Sequence, residues 1–128
     1  MMKKKLRYVI QSALLLSLVA CSNEVREMQR VSNASRSIDA VIAIKETGAT
    51  VATPTEIYVV PSGGEVKGAP IFRADNVEGL VLTWDGESKL IIRAEKARVF
   101  LQSGTSRVDV PGKQSRAIGV ELAIKDLR

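Results

Sequence analysis

The chain has 128 residues, 45% of them hydrophobic, 26% charged and 4% aromatic, the composition of an ordinary globular domain and a length suited to one. The formal charge of +5 sits at the front. Lys3, Lys4, Lys5 and Arg7 are the only charged residues of the first twenty, which leaves 15 bases against 14 acids in the rest and gives no support to a basic nucleic-acid surface. There is no histidine, and Cys21 is the only cysteine. Intrachain disulfides, Cys/His zinc sites and imidazole-dependent triads are therefore excluded as well.

The first elements read as an export signal. The basic start precedes a largely apolar run, Tyr8 to Ala20, interrupted by Gln11, Ser12 and Ser17. As a helix it would reach about 20 Å, short of a bilayer core of about 30 Å, which suits a cleaved signal peptide better than a permanent span. The run ends Leu18-Val19-Ala20-Cys21, which resembles the lipobox of bacterial lipoproteins. The resemblance implies a diacylglyceryl group on the Cys21 thiol, cleavage before Cys21 and acylation of the new amine. Several acyl chains would then hold the protein stably to a membrane, where one chain holds only marginally. In enterobacterial lipoproteins an Asp after the lipidated cysteine tends to retain the protein in the inner membrane. Ser22 therefore points to the outer membrane if the envelope is Gram-negative.

Residues 22–37 are polar and lack aromatics, and read as a flexible tether between lipid and fold. Val25, Met28 and Val31 recur at spacing three, which permits one or two helical turns that would be marginal alone. Asn33-Ala34-Ser35 matches the glycosylation sequon, a chance match in a bacterial lipoprotein. The expected organisation is a signal peptide over 1–20, lipidated Cys21 and tether over 21–37, and a small β domain over 38–128.

From Ile38 onward the pattern has period two. Asp39–Lys45 and Glu56–Val60 read as strands, with a turn at Gly48 between them and Pro61-Ser62-Gly63-Gly64 closing the second. Leu80–Trp84 and Lys89–Arg93 flank Asp85-Gly86-Glu87-Ser88, a hairpin signal. Ala97–Leu101 follows as another strand after Ala94-Glu95-Lys96. Ile118, Val120, Leu122 and Ile124 then alternate with Gly119, Glu121, Ala123 and Lys125. Residues 64–70 and 102–115 are left as long loops. The expectation is an all-β domain, a small antiparallel sheet or sandwich of about six strands with one modest core.

The middle of the chain carries a second likeness. Asp39-Ala40-Val41, Glu56-Ile57-Tyr58-Val59-Val60-Pro61, and the run from Phe72-Arg73-Ala74-Asp75 to Gly79-Leu80-Val81-Leu82-Thr83-Trp84 follow in order. This resembles a small domain of unknown function found in bacterial lipoproteins and other exported proteins. The resemblance covers about residues 39–101, implies an all-β fold and brings no activity with it.

Arg73, Asp75, Asn76 and Glu78 form the most site-like cluster. Three of them offer oxygen ligands to a hard cation, and Arg73 offers a clamp for a carboxylate. The competing reading is a turn entering the next strand, so no metal or cofactor is expected. Gly63-Gly64 lacks the Gly-Lys-Ser/Thr and helix of a phosphate loop and reads as a turn. Asp85 and Glu87 fall in a hairpin turn, solvated rather than buried, which argues against paired-carboxylate hydrolysis. Trp84 shares a strand face with Leu80 and Leu82 and is expected in the core rather than as a sugar platform. The leading functional expectation is a non-enzymatic, membrane-anchored module for contacts with envelope proteins or for envelope structure. A periplasmic inhibitor or ligand-binding lipoprotein using the long loops comes second, and a hydrolase using carboxylates third.

Overall fold

The computed structural model describes residues 25–45 and 53–127, so the signal peptide, Cys21, Ser22 and the Gly48 turn lie outside the described residues. Eight strands occupy the rest: β1 Val25–Ser32, β2 Ile38–Lys45, β3 Thr55–Pro61, β4 Phe72–Glu78, β5 Val81–Asp85, β6 Lys89–Gln102, β7 Thr105–Val108 and β8 Arg116–Leu127. No helix occurs among the described residues. The chain is all-β, as its period-two pattern implies. They form one mixed sheet in the order β1-β2-β3-β4-β6-β8-β7, with β5 also on β6. All pairs are antiparallel except β6–β8.

Three sequence expectations need correction. Residues 25–32, read as part of a flexible tether, are a strand paired with β2 from Val25↔Lys45 to Ser32↔Asp39. The spacing of three that suggested helical turns is the footprint of a bulge. The register shifts between Glu27 and Gln29, leaving Met28 exposed, and an extra residue reverses which face later side chains take. Val25 accordingly packs with Val41 and Tyr58, while Val31 packs on the main core. Residues 72–78, read as a turn with a polar cluster, are β4, because Phe72 and Ala74 alternate inward and are buried. The loop expected over 102–115 contains β7.

The hairpin at Asp85-Gly86 is present and much longer than its local signal. β4 and β5 run consecutively along one edge of β6, from Phe72↔Gln102 to Asp85↔Lys89. Compensating shifts, one between Arg73 and Ala74 and one between Asp75 and Glu78, mark bulges on both strands. The segments 89–93 and 97–101 thus join into one strand with no break at Ala94-Glu95-Lys96. Gly79, at φ 63°, is the joint between β4 and β5. A Cβ there would come within 2.8 Å of Glu95 Cγ, so the site requires both a left-handed backbone and no side chain.

The long hairpin bends back on itself. At its tip, Ser88 O accepts the Gly119 N–H at 2.8 Å. At its open end, Gly104 O accepts the Val120 N–H at 2.9 Å, and Ser103 N–H reaches Ile71 O. Adjacent residues of β8 therefore hold both ends of the hairpin. The bend encloses the main core of Ile38, Ala40, Ile42, Ile57, Phe72, Ala74, Leu82, Leu90, Ile92, Ile118 and Val120. Each fully buried Ile, Leu, Val or Phe side chain contributes about 1.5–3 kcal/mol of hydrophobic free energy. A smaller cluster of Val41, Ala43, Tyr58 and Val60 lies on the other face of β2–β3, against Val25 and Val66. These two strands are buried on both sides.

Candidate functional site

The four residues singled out in the sequence lie on β4, and the structure divides them. Arg73 stands opposite Glu56 of β3. Its Nη2 donates to Glu56 Oε2 at 3.1 Å, and the Tyr58 hydroxyl donates to the same oxygen at 3.2 Å. Glu56 is buried, on the face that carries Tyr58 and Val60. Burial, and then the charge and hydrogen bonding of Glu56, push the Tyr58 phenol up, with Arg73 pulling the other way.

Asp75 faces Arg98 of β6, which meets both carboxylate oxygens as a fork, with Nε to Oδ1 at 2.7 Å. The Arg98 guanidinium carbon lies 5.0 Å from the Phe100 ring centroid, a cation–π contact. The hydrogen bond from Arg98 holds the Asp75 carboxyl below the ordinary aspartate range. Asn76, at φ 51°, occupies the bulge that restores the register, and Glu78 is exposed opposite Lys96. The cluster thus serves two separate cross-strand pairs. Among the described residues no group of three Asp, Glu, Cys or His side chains could hold a metal ion.

Two polar knots went unmarked in the sequence. The first joins β1, β2 and the Gly63-Gly64 turn. Asp39, buried on β2, accepts from Arg30 Nη1 at 2.9 Å, Ser32 Oγ at 2.5 Å and the Gly63 N–H at 3.0 Å. Arg30 also donates to Glu27 and to Gly64 O. Burial pushes the Asp39 carboxyl up, but hydrogen bonds from Ser32, the Gly63 N–H, Arg30 and Ser62 outweigh it and hold it below the ordinary range. Gly63-Gly64 is a turn, as expected, and one that ties down a buried acid.

The second knot joins the β1–β2 turn to the tip of the long hairpin. Asn33 is 3% exposed. Its Oδ1 accepts the N–H groups of Ser37 and Ile38, and its Nδ2 donates to Glu87 O at 3.0 Å. Ser35 Oγ and Arg116 reach the Glu87 carboxylate at 2.5 and 3.5 Å. Glu87 therefore fastens three segments rather than standing free in solvent. The Asn33 amide has both ends engaged inside the fold, which removes it from any glycosylation chemistry. Trp84 is half-buried against the main core beside Leu80 and Leu82, and its indole N–H donates to Val31 O of β1 at 2.8 Å.

Three surface depressions lie open among the described residues, one of about 620 Å³ between Gly79, Val81 and Glu95 and the β8 residues Ala123, Ile124 and Lys125. A cleft of about 490 Å³ runs between the two long loops, lined among others by Ser35, Arg36, Gly64, Lys67, Pro111 and Lys113, with Glu65 its one acid. At the far end of β6, Phe100 and Leu101 are 56% and 38% exposed and share a depression with Leu127, which is 64% exposed.

The chain matches no protein-family model, no curated protein and no solved structure.

Proposed function

We propose that this is a membrane-tethered, non-enzymatic β module acting through contacts with other envelope proteins. The observation that carries the reading is the group of Phe100, Leu101 and Leu127 standing together in solvent at one end of the sheet. Large apolar side chains exposed as a group mark interaction surfaces. The tether rests on Leu18-Val19-Ala20-Cys21 and the basic, apolar segment before it. Asp75, Glu56 and Glu87 hold cross-strand or inter-loop partners, which favours a structural use of these acids over hydrolysis. The test is a photoreactive residue at position 100 of the protein in its native membrane. The expected product is a defined crosslink to an envelope protein, and labelling of lipid or solvent alone overturns the reading. Intact mass of the membrane-extracted protein should show an acylated Cys21 at its start, and an unmodified thiol there removes the tether.

The cleft lined by Arg36, Lys67 and Lys113 favours a second reading, binding of an anionic small molecule between the loops. Native mass spectrometry of the purified protein separates the two. A retained anion lost on Lys67→Ala and Lys113→Ala supports the second.

A further inference from the structure

The outer edge of β8 is unusual. β7 covers that edge only from Arg116 to Gly119, and Gly104 O takes the Val120 N–H. Beyond Val120 no described strand pairs there, while the opposite edge of β8 remains in register with β6 to Leu127. The direction of the backbone groups follows from the two bonds at the start. Gly119 N–H points to Ser88 on the β6 side and Val120 N–H points to Gly104 on the outer side. Alternation then aims the N–H and C=O groups of Leu122 and Ile124 at the open edge. This stretch has no bulge and no proline, two of the devices that blunt edges, and its charges, Glu121 and Lys125, are of opposite sign.

The side chains of this window are self-complementary. Lay a second copy antiparallel, with the two-fold axis at Ala123. Leu122 then stands opposite the partner's Ile124 and Ile124 opposite the partner's Leu122, and each pair exchanges both of its backbone hydrogen bonds. Glu121 stands opposite the partner's Lys125 in a non-hydrogen-bonded pair, the arrangement in which side chains approach most closely, with Cα atoms about 4.5 Å apart. At the axis the small Ala123 meets itself. Shifting the axis to Ile124 keeps the backbone pattern but sets Lys125 against Ala123 and loses both charge pairs. Leu122 and Ile124 are only half-buried within one chain, so pairing also covers apolar surface on the core side.

We infer that residues Glu121–Lys125 of β8 form an isologous edge-to-edge contact with a second copy of this chain, joining two sheets across the Ala123 axis. The outer-face charges then run Lys89–Glu121–Lys125–Glu95 across the junction, since Glu121 lies 3.2 Å from Lys89 and Lys125 3.2 Å from Glu95 within each chain. This contact ends at Lys125, two residues before Leu127 of the Phe100 surface, and does not depend on the lipid anchor.

The test uses the full chain in non-denaturing detergent, with Cys21→Ser to remove the native thiol. Sedimentation equilibrium should find a dimer, and Ala123→Cys should crosslink into a disulfide dimer under mild oxidation, because the paired Cα atoms fall within disulfide reach. Lys125→Cys, whose symmetry mate lies four positions away along the strand, should not crosslink. Glu121→Lys should weaken association about tenfold by placing two like-charge pairs across the axis, and Glu121→Lys with Lys125→Glu should restore it. A monomer at all concentrations overturns the inference. So does a dimer indifferent to Glu121→Lys and resistant to the Ala123→Cys crosslink, which would be built on another surface.

Discussion

β1 and the end of β8 beyond β7 both lie at edges of the same sheet and treat them in opposite ways. β1 is broken by the bulge at Met28 and is held from the core side by the Trp84 indole, whose N–H donates to the Val31 carbonyl. Asp39 and Asn33 fasten it from behind. β8 runs on past Val120 in unbroken register with β6, and no such cover lies over its outer edge among the described residues. The difference teaches where pairing is excluded and where it is left available. Both edges carry charges, Arg26, Glu27 and Arg30 on one and Glu121, Lys125 and Asp126 on the other, so the bulge sets them apart: a bent edge resists a foreign strand, whereas a straight one admits it.

The comparison breaks most severely at Trp84. Trp84→Ala removes a half-buried side chain packed on the core together with its hydrogen bond to Val31 and should cost about 3 kcal/mol in urea unfolding. Trp84→Phe keeps most of the packing, loses the N–H and should cost about 1 kcal/mol. Equal costs would mean that the hydrogen bond to Val31, not the packing, carries the contribution of Trp84.

Asp39→Ala comes next, at about 2–3 kcal/mol, because Arg30, Ser32 and the Gly63 N–H lose a shared acceptor. The same group gives the edge a pH dependence. The folded Asp39 titrates below its ordinary value, so its stabilisation is complete above the unfolded value of about 3.9. It is lost as pH falls through the lower folded value. Thermal midpoints of the wild type should fall on acidification below about pH 4 more steeply than those of Asp39→Asn.

Much of this architecture was legible in the chain, because alternation reports burial directly. Ile118 to Ile124 and the Asp85-Gly86 hairpin carry one apolar face each and emerged as strands. The bulges hid the rest. A single extra residue at Met28 turned a strand into an apparent spacing of three, and Asn76 at its bulge made β4 look like a polar turn. The parallel pairing of β6 with β8 leaves no local trace, since its partners meet only in space. Asp39 and Glu56 were overlooked as site residues for a different reason. Their strands alternate two apolar faces, Val41 and Ala43 against Ala40 and Ile42, so a polar residue on either face is buried. That inference was available once both faces were counted.

Smaller effects sharpen the contrast. Gly79→Ala strains the left-handed joint and pushes the flexible Glu95 side chain aside, for about 1–2 kcal/mol. It should act on both edges, since the bend it permits brings Trp84 to β1 and Ser88 to β8. Glu121→Lys should leave the unfolding free energy of the single chain within about 0.5 kcal/mol, because the Lys89 pair is exposed on both sides. A large loss would make the β8 charges supports of the monomer rather than determinants of pairing.

The long hairpin also sets an order of assembly. Residues 72–102 are contiguous, and β4, β5 and β6 find one another by closing a single turn at Gly86. Contacts this local form early, whereas the parallel union of β6 with β8 must wait for loop closure across β7. Until β8 arrives, β6 is itself an open edge, backed by Leu90 and Ile92, and one side of the longest strand stays bare. The last strand to dock is therefore the one that decides whether the newly made protein folds or sticks.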